Sequence, residues 1–361
     1  MIVRTRLTIP LVVMLLALHP ASPGAQSPQA QPAPVLSSRL FELAWTLNGV
    51  KGGVAGDAKT GLIYAVASGG AEVIETDLAG TIRRRIPLPP SPGLRPIGIL
   101  RLAHFAAQPT LLAFGVWTAS VRAFALDGTE LWSYPNPAEP STGIDDVNVV
   151  DLDGDGTDEV IIGFNGSTGV HVIDSTGRLT WQSTSIGNVW FVSGGDVLGT
   201  GRAQVVTTSA AGGVHVFSDN GAERKDIRPT FYANMVRAGR IPETARTATI
   251  VAGGTLSEVT TLAALSGGGV MQWSLQLPTN HKSAVATAWL APTKPWLAVS
   301  TRDGAVHVVD VLRGVIIGSM GSPEPRVEVG WSGSEPDGSP LLLVAGGGTL
   351  TAYRVVGVTK R

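Results

Sequence analysis

Val170-His-Val-Ile-Asp-Ser-Thr-Gly177-Arg-Leu-Thr-Trp181 joins a short apolar strand, an Asp-to-Gly turn and a second strand ending on tryptophan. β-Branched residues on either side of a glycine turn are the mark of a hairpin. The same unit stands at Val121-Arg-Ala-Phe-Ala-Leu-Asp-Gly128-Thr-Glu-Leu-Trp132 and at Val214-His-Val-Phe-Ser-Asp-Asn-Gly221. Weaker copies end at Gly80, Gly269, Gly314 and Gly357, and successive turn glycines lie 48, 49, 44, 48, 45 and 43 residues apart. A period of about 45 residues made of short strands is that of a β-propeller, with one four-stranded blade per repeat. Trp132, Trp181 and Trp273 each follow their turn glycine by four residues, which supports the register. The fold is therefore read as all-β, a seven-bladed β-propeller of four-stranded antiparallel blades.

The last repeat is short, because only Val358-Thr-Lys-Arg361 follows Gly357. Phe41-Glu-Leu-Ala-Trp45-Thr-Leu47 precedes the first repeat and is similar to Thr129-Glu-Leu-Trp132-Ser-Tyr134. It is read as the missing outer strand of blade seven, so that the N-terminal strand closes the ring and leaves no open seam. The second strands are expected at Leu62–Ser68, Leu111–Val116, Glu159–Phe164, Gln204–Thr208, Ala248–Ala252, Trp296–Thr301 and Leu341–Ala345. Ile227 to Thr247 carries Pro229, Pro242 and mixed charge, so blade five is the least regular.

Composition agrees with this reading. The 361 residues include 45 glycines and only 15% charged residues, and the balance is 27 − 28 = −1. No basic footprint for nucleic acid stands out. Arg4 and Arg6, the apolar run Leu7 to Leu18 and the small residues after it predict a signal peptide over residues 1–25. The apolar run is too short for a stable membrane span. Residues 26–38, rich in Pro, Gln and Ala, are expected to be a disordered linker, with the propeller over 39–361. The expected location is secreted or periplasmic. The absence of cysteine excludes disulfides and thiolate metal sites.

Before one second strand stands Asp151-Leu-Asp-Gly-Asp-Gly-Thr-Asp-Glu159. Carboxylates fall at positions 1, 3, 5 and 9 with glycine at position 6, the spacing of a calcium loop, in which hard oxygens converge and glycine permits the sharp turn. Position 12 is Ile162, not the glutamate of an EF-hand, and the loop runs straight into the β-type run Val160-Ile-Ile-Gly163. The ion is expected between two strands. The competing reading is an acidic turn with no ion, and there the crowded carboxylates would repel one another.

Val149 to Gly163 resembles the FG-GAP/VCBS (integrin-alpha-like) propeller repeats, whose second strand follows an Asp-x-Asp-Gly-Asp-Gly loop. That resemblance covers one blade in full. It implies Ca2+ held by the side chains of Asp151, Asp153 and Asp155, the backbone carbonyl of Thr157 and Glu159. The family usually has Asp where Glu159 stands, and Asp158 is left as a spare carboxylate. The ion's expected role is structural. The loops at Gly56-Asp57 and Gly195-Asp196 are degenerate copies that lack the further carboxylates. The Gly-x-x-x-Trp turns resemble the blades of quinoprotein-like propellers; the tryptophans are expected to dock each outer strand on the neighbouring blade rather than to stack on a cofactor.

Other candidates carry less. His171, His215 and His307 each sit in a Val-His-Val triplet, and equivalent positions on separate blades do not converge on a metal. Asp145 and Asp146 are adjacent on a strand and point to opposite faces, so they make a poor acid–base pair. Arg83-Arg84-Arg85 reads as a solvated strand edge. No catalytic residue, nucleophile motif or phosphate loop is found. The expected function is an exported calcium-binding interaction module for a protein or cell-surface glycan, acting as a monomer without nucleic acid. A carbohydrate-active lyase or hydrolase at the channel mouth, and an envelope-assembly scaffold, remain open.

Overall fold

Valine, isoleucine, alanine and glycine dominate every repeat, and runs of this kind buried on both sides form central strands of packed sheets. The computed structural model describes residues 40–356 apart from 91–96, 107, 137–141, 242–247, 257–258, 279–284, 323 and 325–326. The expected signal peptide, the linker and the turn at Gly357 lie outside the described residues.

Among the described residues there are seven four-stranded antiparallel sheets. Six are consecutive, over 50–87, 99–134, 144–183, 192–227, 232–276 and 285–321. The seventh takes its three inner strands from 328–355 and its outer strand from Phe41–Asn48. Phe41 pairs with Val355 and Asn48 with Thr349, so the two ends of the propeller close the ring in one blade, as the sequence predicted. Three of the expected second strands match to the residue; that of blade two is Gln108–Phe114, because the chain turns sharply at Trp117 and leaves Val116 in a loop. Blade five forms a four-stranded sheet like the others, and its inner strand Tyr232–Gly239 begins only three residues after Pro229; residues 242–247 lie outside the described residues.

The core lies between blades rather than within them. Seven clusters of buried side chains each draw on two neighbouring blades; Ile161, Val170 and Val172 of blade three, for example, pack with Val192, Val205 and Phe217 of blade four. Every blade is thus a core for both neighbours, and apolar area is removed from water only as blades meet.

On the outside a repeated staple reinforces this packing. The indole N–H of Trp45 donates to Leu78 O at 2.8 Å, Trp132 to Ser175 O at 2.9 Å, Trp181 to Asp219 O at 2.7 Å and Trp273 to Val311 O at 2.6 Å. In each case an outer-strand tryptophan grips the turn of the next blade and lies over its glycine. A Cβ on Gly221, whose φ is +84°, would come within 2.8 Å of the Trp181 ring. The tryptophans therefore dock blades.

The three Val-His-Val histidines are also packing groups. His171 Nδ1 meets Tyr134 Oη at 2.8 Å, His215 Nδ1 meets Glu223 Oε1 at 2.9 Å, and His307 Nδ1 meets Ser319 Oγ at 2.8 Å. All three are buried in separate blades. Arg83, Arg84 and Arg85 stand exposed on an outer strand, as expected of a solvated edge, and are paired there: Asp77 and Glu75 meet the first two at 2.6 Å, and Glu72 meets the third.

Two predictions follow from this packing. Gly221→Ala destabilises the protein both by its left-handed backbone and by collision with Trp181, and a Trp181→Ala background removes the second cost. A double-mutant cycle read by urea unfolding should give a coupling of about 1–2 kcal/mol; a coupling near zero would remove the staple. Burial pulls the His307 imidazole down to about 4. The unfolded chain therefore takes up the proton first, and this stability is fully present above about pH 6.5 and lost as pH falls towards 4. The loss should approach roughly 3 kcal/mol and be absent in His307→Gln, compared by chemical unfolding across that window.

Candidate functional site

The loop 151–158 links the inner strand Ile144–Val150 to the second strand Glu159–Phe164, and Val150 pairs with Glu159. The backbone winds around its own carboxylates. Asp151 accepts N–H groups of Gly154 at 2.7 Å and Gly156 at 3.0 Å; Asp153 accepts from Asp155 at 3.1 Å, and Asp155 from Thr157 at 2.7 Å. Glu159 accepts from Leu152 at 2.8 Å. Gly156, at φ +88°, makes the turn that aims its N–H inward.

This winding brings Asp151, Asp153 and Glu159 together, with one carboxylate oxygen of each within 4.8 Å of the others. Asp155 stands outside that group. Burial first, and then the charges of Asp153, Asp155 and Asp151, push the Glu159 carboxyl up to about 7. Hard oxygens crowded to this degree have the chemistry to hold a divalent cation of the calcium type. Asp158 is not spare: its Oδ2 accepts the backbone N–H of His104 at 2.7 Å, and its own N–H donates to His104 O at 3.1 Å. The loop is thereby tied to blade two.

Blade four answers the same geometric problem with a single acid. Asp196 accepts the N–H of Gly201 at 2.8 Å, matching Asp151 and Gly156, and Gly201 has φ +82°. Where blade three has Glu159, blade four has Gln204, eight residues after the leading aspartate in both loops. The Gln204 amide donates to Thr200 Oγ1 at 2.9 Å and to Arg202 O at 2.6 Å. An N–H2 group supplies from within the chain the positive partner that converging loop oxygens need. The Asp57 turn is likewise more than a bare backbone: Asp57 is buried and accepts from Lys59 N at 2.9 Å and Thr60 Oγ1 at 2.7 Å.

The opposite face, where second strands turn into third strands and blades are joined, carries exposed aromatic surface. Val116 and Trp117 are 48% and 62% exposed. Trp117 has φ +61°, a conformation rare for a bulky residue. Its N–H donates to Ile144 O at 2.7 Å and its indole N–H to Asp145 Oδ1 at 2.9 Å. Burial pushes the Asp145 carboxyl up to about 6, and no described group bonds its buried Oδ2. Further round, Trp190 packs on the exposed Tyr232 at 5.9 Å between ring centroids.

Asp145 and Asp146 do part, as their adjacency predicted. Asp146 turns into the channel, where Arg101 meets its Oδ1 at 3.1 Å and Arg237 its Oδ2 at 3.0 Å. Both guanidinium groups lie over the Trp289 ring, at 4.6 and 4.3 Å from its centroid. Sequence reasoning missed this cluster. The signal was there, a lone arginine inside the apolar inner strands at Leu100-Arg101-Leu102 and Val236-Arg237-Ala238.

No family model matches the chain, and no curated protein matches it. Solved structures do. Two crystal structures of BBS1N in complex with ARL6DN, one soaked with lead and one with mercury, superpose with TM-scores of 0.61 and 0.62 at 14% identity. They cover 89% and 88% of this chain and 98% of BBS1N. At that identity the likeness is one of fold, the seven-bladed propeller.

Glu159→Gln tests the contrast between the two loops. Calcium should raise, and chelator lower, the melting temperature of the wild type. The variant, with an amide where blade four has one, should respond to neither in differential scanning calorimetry. With calcium held by the Glu159 carboxylate, its affinity in the wild type should fall by about tenfold per unit as pH drops below 7.

Proposed function

We propose that this chain is an exported propeller of the FG-GAP type, stabilised by calcium at Asp151, Asp153, Asp155, Thr157 and Glu159, that binds a protein partner through the face bearing Val116 and Trp117. The observation that carries the binding reading is Trp117. A bulky aromatic held at φ +61° and left 62% exposed buries little apolar area for the fold, whatever its bonds to Ile144 and Asp145 add. Strain of this kind costs about 1–3 kcal/mol and is kept where a function needs it. Exposed aromatic and apolar groups set on a rigid turn are what a partner's hot spot requires.

BBS1N, the solved propeller of similar fold, was crystallised in complex with another protein, ARL6DN, which favours a protein as the partner class here. The N-terminal segment supports export. The converging carboxylates of blade three support the metal, and a structural role follows from the ties between that loop and blade two through Asp158 and His104. The separation of Asp145 from Asp146 weighs against a carboxylate pair for glycoside chemistry.

Trp117→Gly tests the face directly, because glycine adopts the same backbone without strain. The chain from Ser27 onward, crosslinked in an exported fraction and read by mass spectrometry, should capture a defined protein that Trp117→Gly loses. The variant's melting temperature should equal or exceed the wild-type value. Equal capture by both proteins would sink the assignment of this face, and release of the captured material by free sugars would move the partner class to glycan.

A further inference from the structure

At the face that carries the Asp151 loop, the channel opens into a cavity of about 200 Å³. That is roughly seven waters' share of liquid volume. Its walls are the ends of five inner strands, with Val54, Leu102, Val149, Leu290 and Trp331 among them. Ala58 and Pro292, from first-to-second-strand turns, stand at its rim. Arg101 brings the charge to this lining, Trp289 and Trp331 bring flat rings, and Asn148 and Ser332 add polar side chains.

Arg101 is 8% exposed and held from several sides. Its Nε donates to Val147 O at 3.0 Å, its Nη1 to Leu100 O at 2.9 Å and its Nη2 to Asp146 Oδ1 at 3.1 Å. Phe114 lies against the guanidinium at 5.5 Å and Trp289 at 4.6 Å. A guanidinium carries five N–H donors, so two of them have no partner among the described residues. The planar fork is already oriented, and little rotamer freedom is left to lose on binding.

The unpartnered N–H groups of Arg101 favour an acceptor, and an anion most of all. Asp146 divides its two oxygens between two guanidinium groups, and Arg237 also uses Ala288 O and Val192 O at 2.7 and 3.0 Å. Another acid, Glu328, accepts backbone N–H groups of Val54 and Gly53; burial pushes its carboxyl up, against the opposing pull of the Arg101 charge. Asp146 is therefore the one carboxylate hydrogen-bonded to both guanidinium groups among the described residues. Apolar walls make a dianion costly to desolvate, whereas a monoanion with an apolar body satisfies both the free N–H groups and the walls.

We infer that the channel mouth is a binding site for a small organic monocarboxylate, its carboxylate on the free Arg101 donors and its apolar body between Trp289, Trp331 and the leucines. The site is separate from the face assigned to the protein partner and from the Asp151 loop.

Benzoate is the probe, with benzyl alcohol as a neutral molecule of the same body. Calorimetric titration into the intact chain should show saturable one-site binding of benzoate, at least tenfold tighter than benzyl alcohol. Ala58→Trp fills the rim without touching the ion network, and should abolish benzoate binding while leaving the unliganded melting temperature in place. Arg101→Gln should remove the preference for benzoate; Ala58→Trp keeps the test decisive even where Arg101→Gln fails to fold. Benzyl alcohol binding as tightly as benzoate, undiminished binding in Ala58→Trp, or no saturable binding at millimolar benzoate would each overturn the site.

Discussion

Everything in this protein depends on burial shared between neighbouring blades. No blade owns a core; each of the seven apolar clusters is completed by the next blade. Such an arrangement is stable only when the last blade meets the first, since an open array would leave two apolar faces in water. The pairing of Phe41–Asn48 with Thr349–Val355 is what makes the array finite. It joins segments from opposite ends of the chain, so much of the stability is realised only when the ring closes.

Two further sets of contacts reinforce the same interfaces at different radii. At the rim, outer-strand tryptophans reach over the turn glycines of the next blade and bond a carbonyl there. At the axis, Arg101, Asp146 and Arg237 bridge blades two, three and five, and Trp289 of blade six covers both cations. Buried ion pairs add little net stability compared with apolar packing, but removing one partner is costly. Their contribution here is better understood as specification: inner strands of blades two, three, five and six must stand in one register for the three charges to meet.

The loops of blades three and four are two chemical answers to one backbone problem. Both wind N–H groups around a leading aspartate and use a positive-φ glycine to do so. Blade four completes the winding with an amide from Gln204, while blade three places acids where that amide would act. Glutamine in place of glutamate, together with the loss of the further aspartates, separates a loop complete in itself from one whose crowded carboxylates have the chemistry for a cation.

The amino-acid sequence by itself determined the repeat, the number of blades, the closing strand and the docking role of the tryptophans. These are local in character: hairpin turns, strand alternation and a fixed offset from glycine to tryptophan recur at constant spacing, and spacing is visible in one dimension. It also marked the acidic loop, although three rather than four of its carboxylates gather, with Asp155 outside the group and accepting the N–H of Thr157. Tertiary structure alone decided the channel cluster, the tie from Asp158 to His104 and the exposure of Trp117. Arg101, Asp146 and Arg237 are 45 and 91 residues apart, and only closure of the ring brings their charges together. Trp117 reads in sequence as one more apolar residue after a strand. Its exposure depends on a left-handed turn stabilised by Ile144 and Asp145 of the next blade, and no local pattern encodes a partner supplied by a neighbour.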